Sequence, residues 1–379
     1  MTRMKKTNGL WVPEHANVVN HTHLDCVLRH RDVVQLAARA GFETFKEPFP
    51  ELTVKLWRDA ELLAKTGMVK DRSLIARLQR RAVSAYREDC FVRGSDLTKY
   101  VNCIADQLVP LMQTVENLKF FTEHYIADLI ADHTIGAQIR FAPHLHIFGG
   151  LSLEAVVEAV AEVTANAPIP IKLILCCLRG PDGEAKRKEA KEVADLCVKY
   201  SAEVGAIDLA GAEGVPLWGG IPNWWWVEAL RAREQSGGQC DITLHLGEVH
   251  PATPEEIAQL KANQVRCVGH FLWNDDDELY QEDCPHSNVT IHAHPDVKCF
   301  GDHPVGRKLS EGQRVMLSTD GTTLIKTSMK MQMALGRRCF GWNGKDLRQL
   351  SLNAVEGGFY NEADKVNMRK QLKLAYPGK

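Results

Sequence analysis

The stretch Ala16-Asn17-Val18-Val19-Asn20-His21-Thr22-His23-Leu24-Asp25 passes from an apolar run directly into two histidines and a carboxylate. Ala16 to Asn20 has strand character. In extended chain residues i and i+2 share a face, so His21 and His23 can reach one metal ion together. Residues at the carboxyl ends of barrel strands point into the active site, and this stretch therefore poses a question about the rest of the chain. Does the sequence supply seven more such strands?

It does. Short β-branched or apolar runs recur at Ala137 to Arg140, Ile171 to Leu175, Ala206 to Leu209, Asp241 to Leu244, Gln264 to Val268 and Arg314 to Ser318. One more belongs before the last of these. By pattern alone it is Val289 to His294, and the alternative is the more polar run ending at Asp283. Helix-period segments such as Ser152 to Asn166 and Glu184 to Tyr200 alternate with the runs. Near-continuous apolar strands followed by helices argue for a parallel sheet, and eight of them predict a (β/α)8 TIM-type barrel, an α/β fold. The competing doubly wound sheet would carry a G-x-G-x-x-G turn after a strand, and none is present. The connection from the first strand to the second is far longer than one helix requires. Residues 31–132 hold amphipathic segments at Glu51 to Lys65, Leu74 to Tyr86 and Leu97 to Val115, read as a helical insertion at the catalytic end. Residues 1–379 are thus expected to form one barrel domain.

Composition limits the functional classes. The chain has 379 residues, 45% hydrophobic and 25% charged, with a formal net charge of -2, so it lacks the basic footprint of a nucleic-acid binder. Its apolar stretches fall far short of the ~20 residues of a membrane span, and Met1 to Asn8 is too polar for a signal peptide. Eleven cysteines are scattered without a C-x-x-C pair, which suits a reduced, cytoplasmic setting.

The strand-end filter is needed because 15 histidines offer many false ligands. The fifth strand runs into His245-Leu246-Gly247-Glu248, the sixth into Gly269-His270 and the eighth into Ser318-Thr319-Asp320-Gly321. Imidazole nitrogens with a carboxylate suit a borderline metal such as zinc, and a catalytic site leaves one position for water. The pairs His144/His146 and His292/His294 have the same i, i+2 spacing. Spacing alone does not make either a ligand set.

Taken in order, His21-Thr22-His23-Leu24-Asp25, Ile139-Arg140-Phe141-Ala142-Pro143-His144-Leu145, Ile174 to Arg179, Ala206 to Gly211, His245-Leu246-Gly247-Glu248, Gly269-His270, Cys284-Pro285-His286-Ser287-Asn288 and Ser318-Thr319-Asp320 resemble the adenosine deaminase family of metal-dependent amidohydrolase barrels. The resemblance implies one zinc ion per chain held by His21, His23, His245 and Asp320. It implies Glu248 as the proton shuttle to purine N1 and His270 as the residue that orients and deprotonates the attacking water. Asp25 matches the contact to the ribose 5′-hydroxyl, and Gly211 the backbone amide that meets purine N3. The Cys-Pro-x-Ser-Asn match also favours a seventh strand ending near Asp283. The His144 and His292 pairs match no ligand position. The implied partner is a small nucleoside, with neither nucleic acid nor membrane.

The chemistry agrees with that assignment. A metal lowers the pKa of water from ~15.7 towards ~7, and purine C6 becomes electrophilic once N1 is protonated. A carboxyl facing N1 must then hold a proton, which burial permits.

Departures from the family cluster on the substrate side. The second of two adjacent aspartates is Gly321 here, and losing its contact to N7 costs ~1–3 kcal/mol unless Thr322 or Thr323 replaces it or the substrate does without it. Cys26, Ala212, Leu246 and Phe271 stand where other residues are usual. The stretch from His270 to Cys284 is short, so the sixth helix is expected to be trimmed. Trp218 and Trp224 to Trp226 form an aromatic cluster that reads as helix packing, or alternatively as a lid or oligomer contact. The expected activity is hydrolytic deamination of adenosine or a close relative, the variants being a modified adenosine or another aminated heterocycle. The rival from another class is a catalytically weak nucleoside-binding protein.

Overall fold

The computed structural model describes residues 4–7, 10–13, 15–66, 72–93, 96–213 and 220–377. After an antiparallel hairpin of Met4–Thr7 and Leu10–Pro13, the first barrel strand is Asn17–Val19 (β1), buried throughout. Thr134–Phe141 (β2), Ile171–Leu178 (β3) and Val204–Ala210 (β4) follow, each parallel to its predecessor. Every residue of β2 and β4 is buried, as strands covered on both faces require.

The fifth strand (β5) comes in two pieces, Asp241–Ile242 against β4 and His245–Leu246 against Cys267–His270 (β6). Thr243 and Leu244 carry the ladder across the gap, through Thr243 N to Ile207 O at 3.0 Å and Gly269 N to Leu244 O at 2.8 Å. Tyr280–Asp283 (β7) and Val315–Leu317 (β8) complete the series. The ring closes where His23 N donates to Asp320 O at 2.8 Å and Asp320 N to His21 O at 3.0 Å, a parallel bridge between the extensions of β1 and β8. The (β/α)8 barrel expected from the sequence is therefore the fold.

Two strand assignments need correction. Val289 to His294, the pattern-based seventh strand, is not extended: Pro285–Thr290 is a short helix and His292 has φ 55°. The strand is the polar run ending at Asp283, whose buried charges hid it from a hydrophobicity pattern. The sixth strand begins at Cys267, because Gln264 sits in a turn with φ 53°.

The connection between β1 and β2 runs through His30–Ala40 (α1), Glu51–Thr66 (α2), Arg72–Arg93 (α3), Leu97–Cys103 (α4) and Val115–Ala131 (α5). The Asp96 side chain accepts from Lys99 N and starts α4; the Thr114 side chain accepts from Asn117 N and starts α5. Leu153–Ala165 (α6) and Glu184–Lys199 (α7) match the two barrel helices read from periodicity. Asn223–Gln235 (α8) carries Trp224, Trp225 and Trp226, all buried, so these three pack rather than form a lid; Trp218 lies outside the described residues. No helix separates β6 from β7, as the short spacing predicts. Among the described residues no helix is long and apolar enough to cross a membrane, and all eleven cysteines are free thiols.

Candidate active site

Inside the barrel a buried ionic lattice underlies the mouth. Arg140 on β2 donates to Asp208 on β4 at 3.2 Å, to Glu282 on β7 at 2.6 Å and to Asn20 O at 2.9 Å, with all three ionic side chains at 0% exposure. Such charges persist in a dry interior only when paired. Each carboxylate also holds a histidine above it. His21 Nδ1 lies 2.9 Å from Glu282 Oε2, and His245 Nδ1 lies 3.1 Å from Asp208 Oδ2. Both rings thus carry their proton on Nδ1 and turn a bare Nε2 toward the mouth. Burial opposes ionisation of Asp208, but His245 and Arg140 outweigh it and hold the carboxyl below the usual range.

The Nε2 atoms converge. His23 Nε2 is 3.0 Å from His245 Nε2, and Asp320 Oδ1 is 3.5 Å from His23 Nε2 and 3.7 Å from His21 Nε2. The remaining Asp320 oxygen accepts from Ser287 Oγ at 2.6 Å. His21 Nε2 is buried and has no hydrogen-bond partner. Burial, then Arg140 and the neighbouring imidazoles, push His21 well below its ordinary value, and burial followed by His245 does the same to His23. Three imidazoles with converging Nε2 atoms, two of them backed by carboxylates, beside a further carboxylate are the donor set of a divalent metal. A buried Nε2 with nothing to bond is the particular feature that such an ion would satisfy.

Glu248 and His270 flank this cluster, with His270 Nε2 3.4 Å from Glu248 Oε1. Burial, together with the Asp320 and Glu213 carboxylates, pushes Glu248 well above the carboxylate range, so it holds a proton. Glu213 fixes its position by accepting the backbone N–H groups of Gly247, Glu248 and Val249 at 2.6, 2.7 and 2.9 Å. The protonation of His270 is set from behind. Val305 N donates to His303 Nδ1 at 3.1 Å, leaving His303 Nε2 to donate to Asn288 Oδ1 at 3.3 Å, and Asn288 Nδ2 to His270 Nδ1 at 3.1 Å. Neutral His270 therefore presents Nε2–H to the mouth, as a donor. His270 and Asp320 both adopt left-handed φ, 62° and 61°, strain of about 1–3 kcal/mol each that collects at functional positions.

A cavity of about 320 Å³ opens over the cluster, lined by His23, His245, Glu248, His270 and Asp320 below and by α4 residues such as Leu97, Tyr100 and Val101 above. Asp25 and Gly211 line it as expected, Gly211 with φ 101°, which a side chain would resist. Burial pushes Asp25 up to about 7 against the pull of its own backbone amide. Cys26 and Ala212 also line the cavity, whereas Leu246 and Phe271 are buried behind it. Gly321 is not in the lining: Tyr100 and Cys26 cover it. Thr322 and Thr323 do not replace the missing carboxylate. Thr323 Oγ1 donates to Leu28 O at 2.6 Å, and Thr322 borders a different cavity beside Arg29 and Asp128. Sequence reasoning assigned no role to Arg140, Asp208, Glu213, Glu282 or Tyr100. The signal for three of them is a charged residue inside a strand that packing buries on both faces.

A ring of parallel strands carries a histidine-rich, carboxylate-backed cluster at its carboxyl mouth, an arrangement suited to metal-assisted hydrolysis. The chain belongs to the adenosine deaminase family, which matches residues 82–374 and so takes in His245, Glu248, His270 and Asp320. Adenosine deaminase of Haemophilus ducreyi is 29% identical over 78% of this chain and 87% of its own length. An Arabidopsis ADAL structure complexed with GMP superposes with TM-score 0.71 at 18% identity, covering 96% of this chain and 98% of that one. An amidohydrolase of Burkholderia ambifaria with bound Zn gives TM-score 0.68 at 20% identity, covering 94% and 89%. The protein is a hydrolytic deaminase of an adenosine-like substrate.

Proposed function

We propose that the protein is a zinc-dependent deaminase of free adenosine or a close 6-aminopurine nucleoside. The observation that carries the reading is the pairing of a metal-ready cluster with a protonated Glu248 across one small cavity. His21, His23, His245 and Asp320 would hold the metal, which when bound would lower the pKa of a water molecule towards ~7. Glu248 donates its proton to N1, making C6 electrophilic. His270 orients the attacking oxygen through Nε2–H. As the C6–O bond forms, the attacking water gives up both its protons, one returning to Glu248 and one reaching the amino nitrogen, so that the C6–N bond breaks and the amino group leaves as ammonia.

A nucleoside fits better than a nucleotide. Among the described residues Arg179 is the one Lys or Arg lining the cavity, and its guanidinium already donates to Gly220 O at 2.8 Å and His245 O at 2.6 Å. Asp25 in the same lining suits a hydroxyl, to which a carboxyl can donate or from which it can accept, and brings no positive charge to a phosphate. The apolar α4 wall suits a flat heterocycle.

Ammonia release from adenosine, AMP, adenine and N6-methylated nucleosides tests this. Adenosine is expected to lead the panel, and Glu248→Gln to lower its kcat by roughly 10²–10⁴. A preference for AMP would overturn the nucleoside assignment, and an unchanged rate in Glu248→Gln would overturn the proton transfer.

A further inference from the structure

We infer that the Tyr100 hydroxyl, delivered by the helical insertion, reads the edge of the substrate ring opposite Glu248 by donating a hydrogen bond to the nitrogen in the position of purine N7. The inference rests on the reading that Glu248 faces N1 of a 6-aminopurine.

Tyr100 belongs to α4 and borders the cavity together with Cys26 and Asp320. Its Oη is buried and has no oxygen or nitrogen partner, and it interacts with the Cys26 thiol. A hydroxyl held only by a thiol, a weak partner, retains the capacity to donate to an acceptor that arrives from outside the chain. Burial, and then the charge of Asp320, push the phenol well above its ordinary value, so it stays a donor and needs an acceptor.

Gly321 explains how the phenol reaches this place. A Cβ built on Gly321 would lie well inside van der Waals contact of Tyr100 Oη and 3.0 Å from Cys26 Sγ. The hydroxyl therefore fills the space that any side chain at 321 would claim. A loss on β8 and a gain on α4 are two sides of one exchange.

The ring geometry then assigns the acceptor. The carbon that loses its amino group has two ring neighbours, N1 and C5, and the acceptor on the C5 side is N7. In a closed ring of eight strands β5 stands four places from β1, so Glu248 faces the wall made by Cys26 and Tyr100, with Gly321 behind them. With N1 turned to Glu248, N7 is turned to that wall. Neither Thr322 nor Thr323 reaches it.

The test compares adenosine with 7-deazaadenosine, in which a C–H replaces N7, in the native protein, Tyr100→Phe and Gly321→Ala. The native protein is expected to favour adenosine in kcat/KM by about ten- to a hundredfold. Tyr100→Phe should lose that factor on adenosine and stay within about twofold on the deaza compound. Gly321→Ala, which displaces the phenol, should behave likewise. Equal losses on both substrates, or none, would overturn the role of Tyr100. Calorimetric binding of inosine and 7-deazainosine separates this from the reaction itself. Preferential binding of inosine in a protein that releases no ammonia from adenosine would sink the assigned reaction and keep Tyr100; equal or absent binding would overturn Tyr100.

Discussion

His23 Nε2 and His245 Nε2 face each other at 3.0 Å, and the second ring is locked as an Nε2 acceptor by Asp208 behind it. Two imidazole nitrogens at that distance need a proton or a metal ion between them. Burial keeps His23 neutral, so the pair can share the Nε2–H of one neutral ring, a proton whose place a divalent ion would take. Exhaustive chelation is expected to abolish deamination and to destabilise the fold by about 4 kcal/mol for an ion held at a thousand times its Kd. Re-addition of zinc should restore both, as read by thermal unfolding and ammonia release.

Asp208→Asn keeps the size of the group behind His245 but removes the charge that strengthens the ring as a ligand. Metal affinity is expected to fall about 10- to 100-fold, measured by competition with a chromophoric chelator. Arg140 would also lose one of its two carboxylates, so stability should fall at the same time. Unchanged affinity would separate the ionic lattice from the metal cluster.

Asp283, at the end of β7, is buried with both carboxylate oxygens unpaired. Burial pushes it up to about 7 against the pull of Lys308, with Asp275 adding to the rise. The unfolded carboxyl titrates near ~3.9, so between these values the native state holds a proton that the unfolded chain has lost. Its contribution is full below about pH 4 and is lost as pH rises through about 7, by at most ~4 kcal/mol. Asp283→Asn should remove this part of the slope, seen in urea unfolding at pH 5 and pH 8.

Trp225 on α8 is fully buried, its ring centroid 5.0 Å from that of Trp226. As a packing residue, it should cost about 3–5 kcal/mol when replaced by alanine, with metal content unaltered. Loss of activity at unchanged stability would instead mark the cluster as part of the substrate entrance.

The convergence of the histidines and Asp320 was legible because these residues obey one geometric rule. His21, His23, His245, His270 and Asp320 all sit at strand ends, where spacing and barrel order suffice to bring them together. The seventh strand was not legible by pattern, since Glu282 and Asp283 put acidic groups where a buried strand should be apolar; the partners of Glu282, Arg140 and His21, and the Lys308 charge that acts on Asp283 come from elsewhere in the chain. Tyr100 was equally hidden. Nothing in Leu97–Cys103 indicates that this helix of the insertion reaches Gly321, because the link between them is a volume and not a motif.

The relay from Val305 through His303 and Asn288 makes His270 a donor toward the mouth, and Asn288→Asp inverts it. A carboxylate at 288 still accepts from His303 Nε2–H, but it now also accepts from His270 Nδ1–H. The proton moves across the ring and Nε2 becomes an acceptor. If His270 works by donating to the attacking oxygen, kcat should fall about 10²-fold with KM little changed, as for loss of a donor to developing negative charge. If His270 instead removes a proton from the attacking water, the inverted ring is the better base and kcat should hold or rise. Nitrogen NMR of the ring verifies the inversion independently of the rate, so a fall in kcat without it would point to disturbed packing.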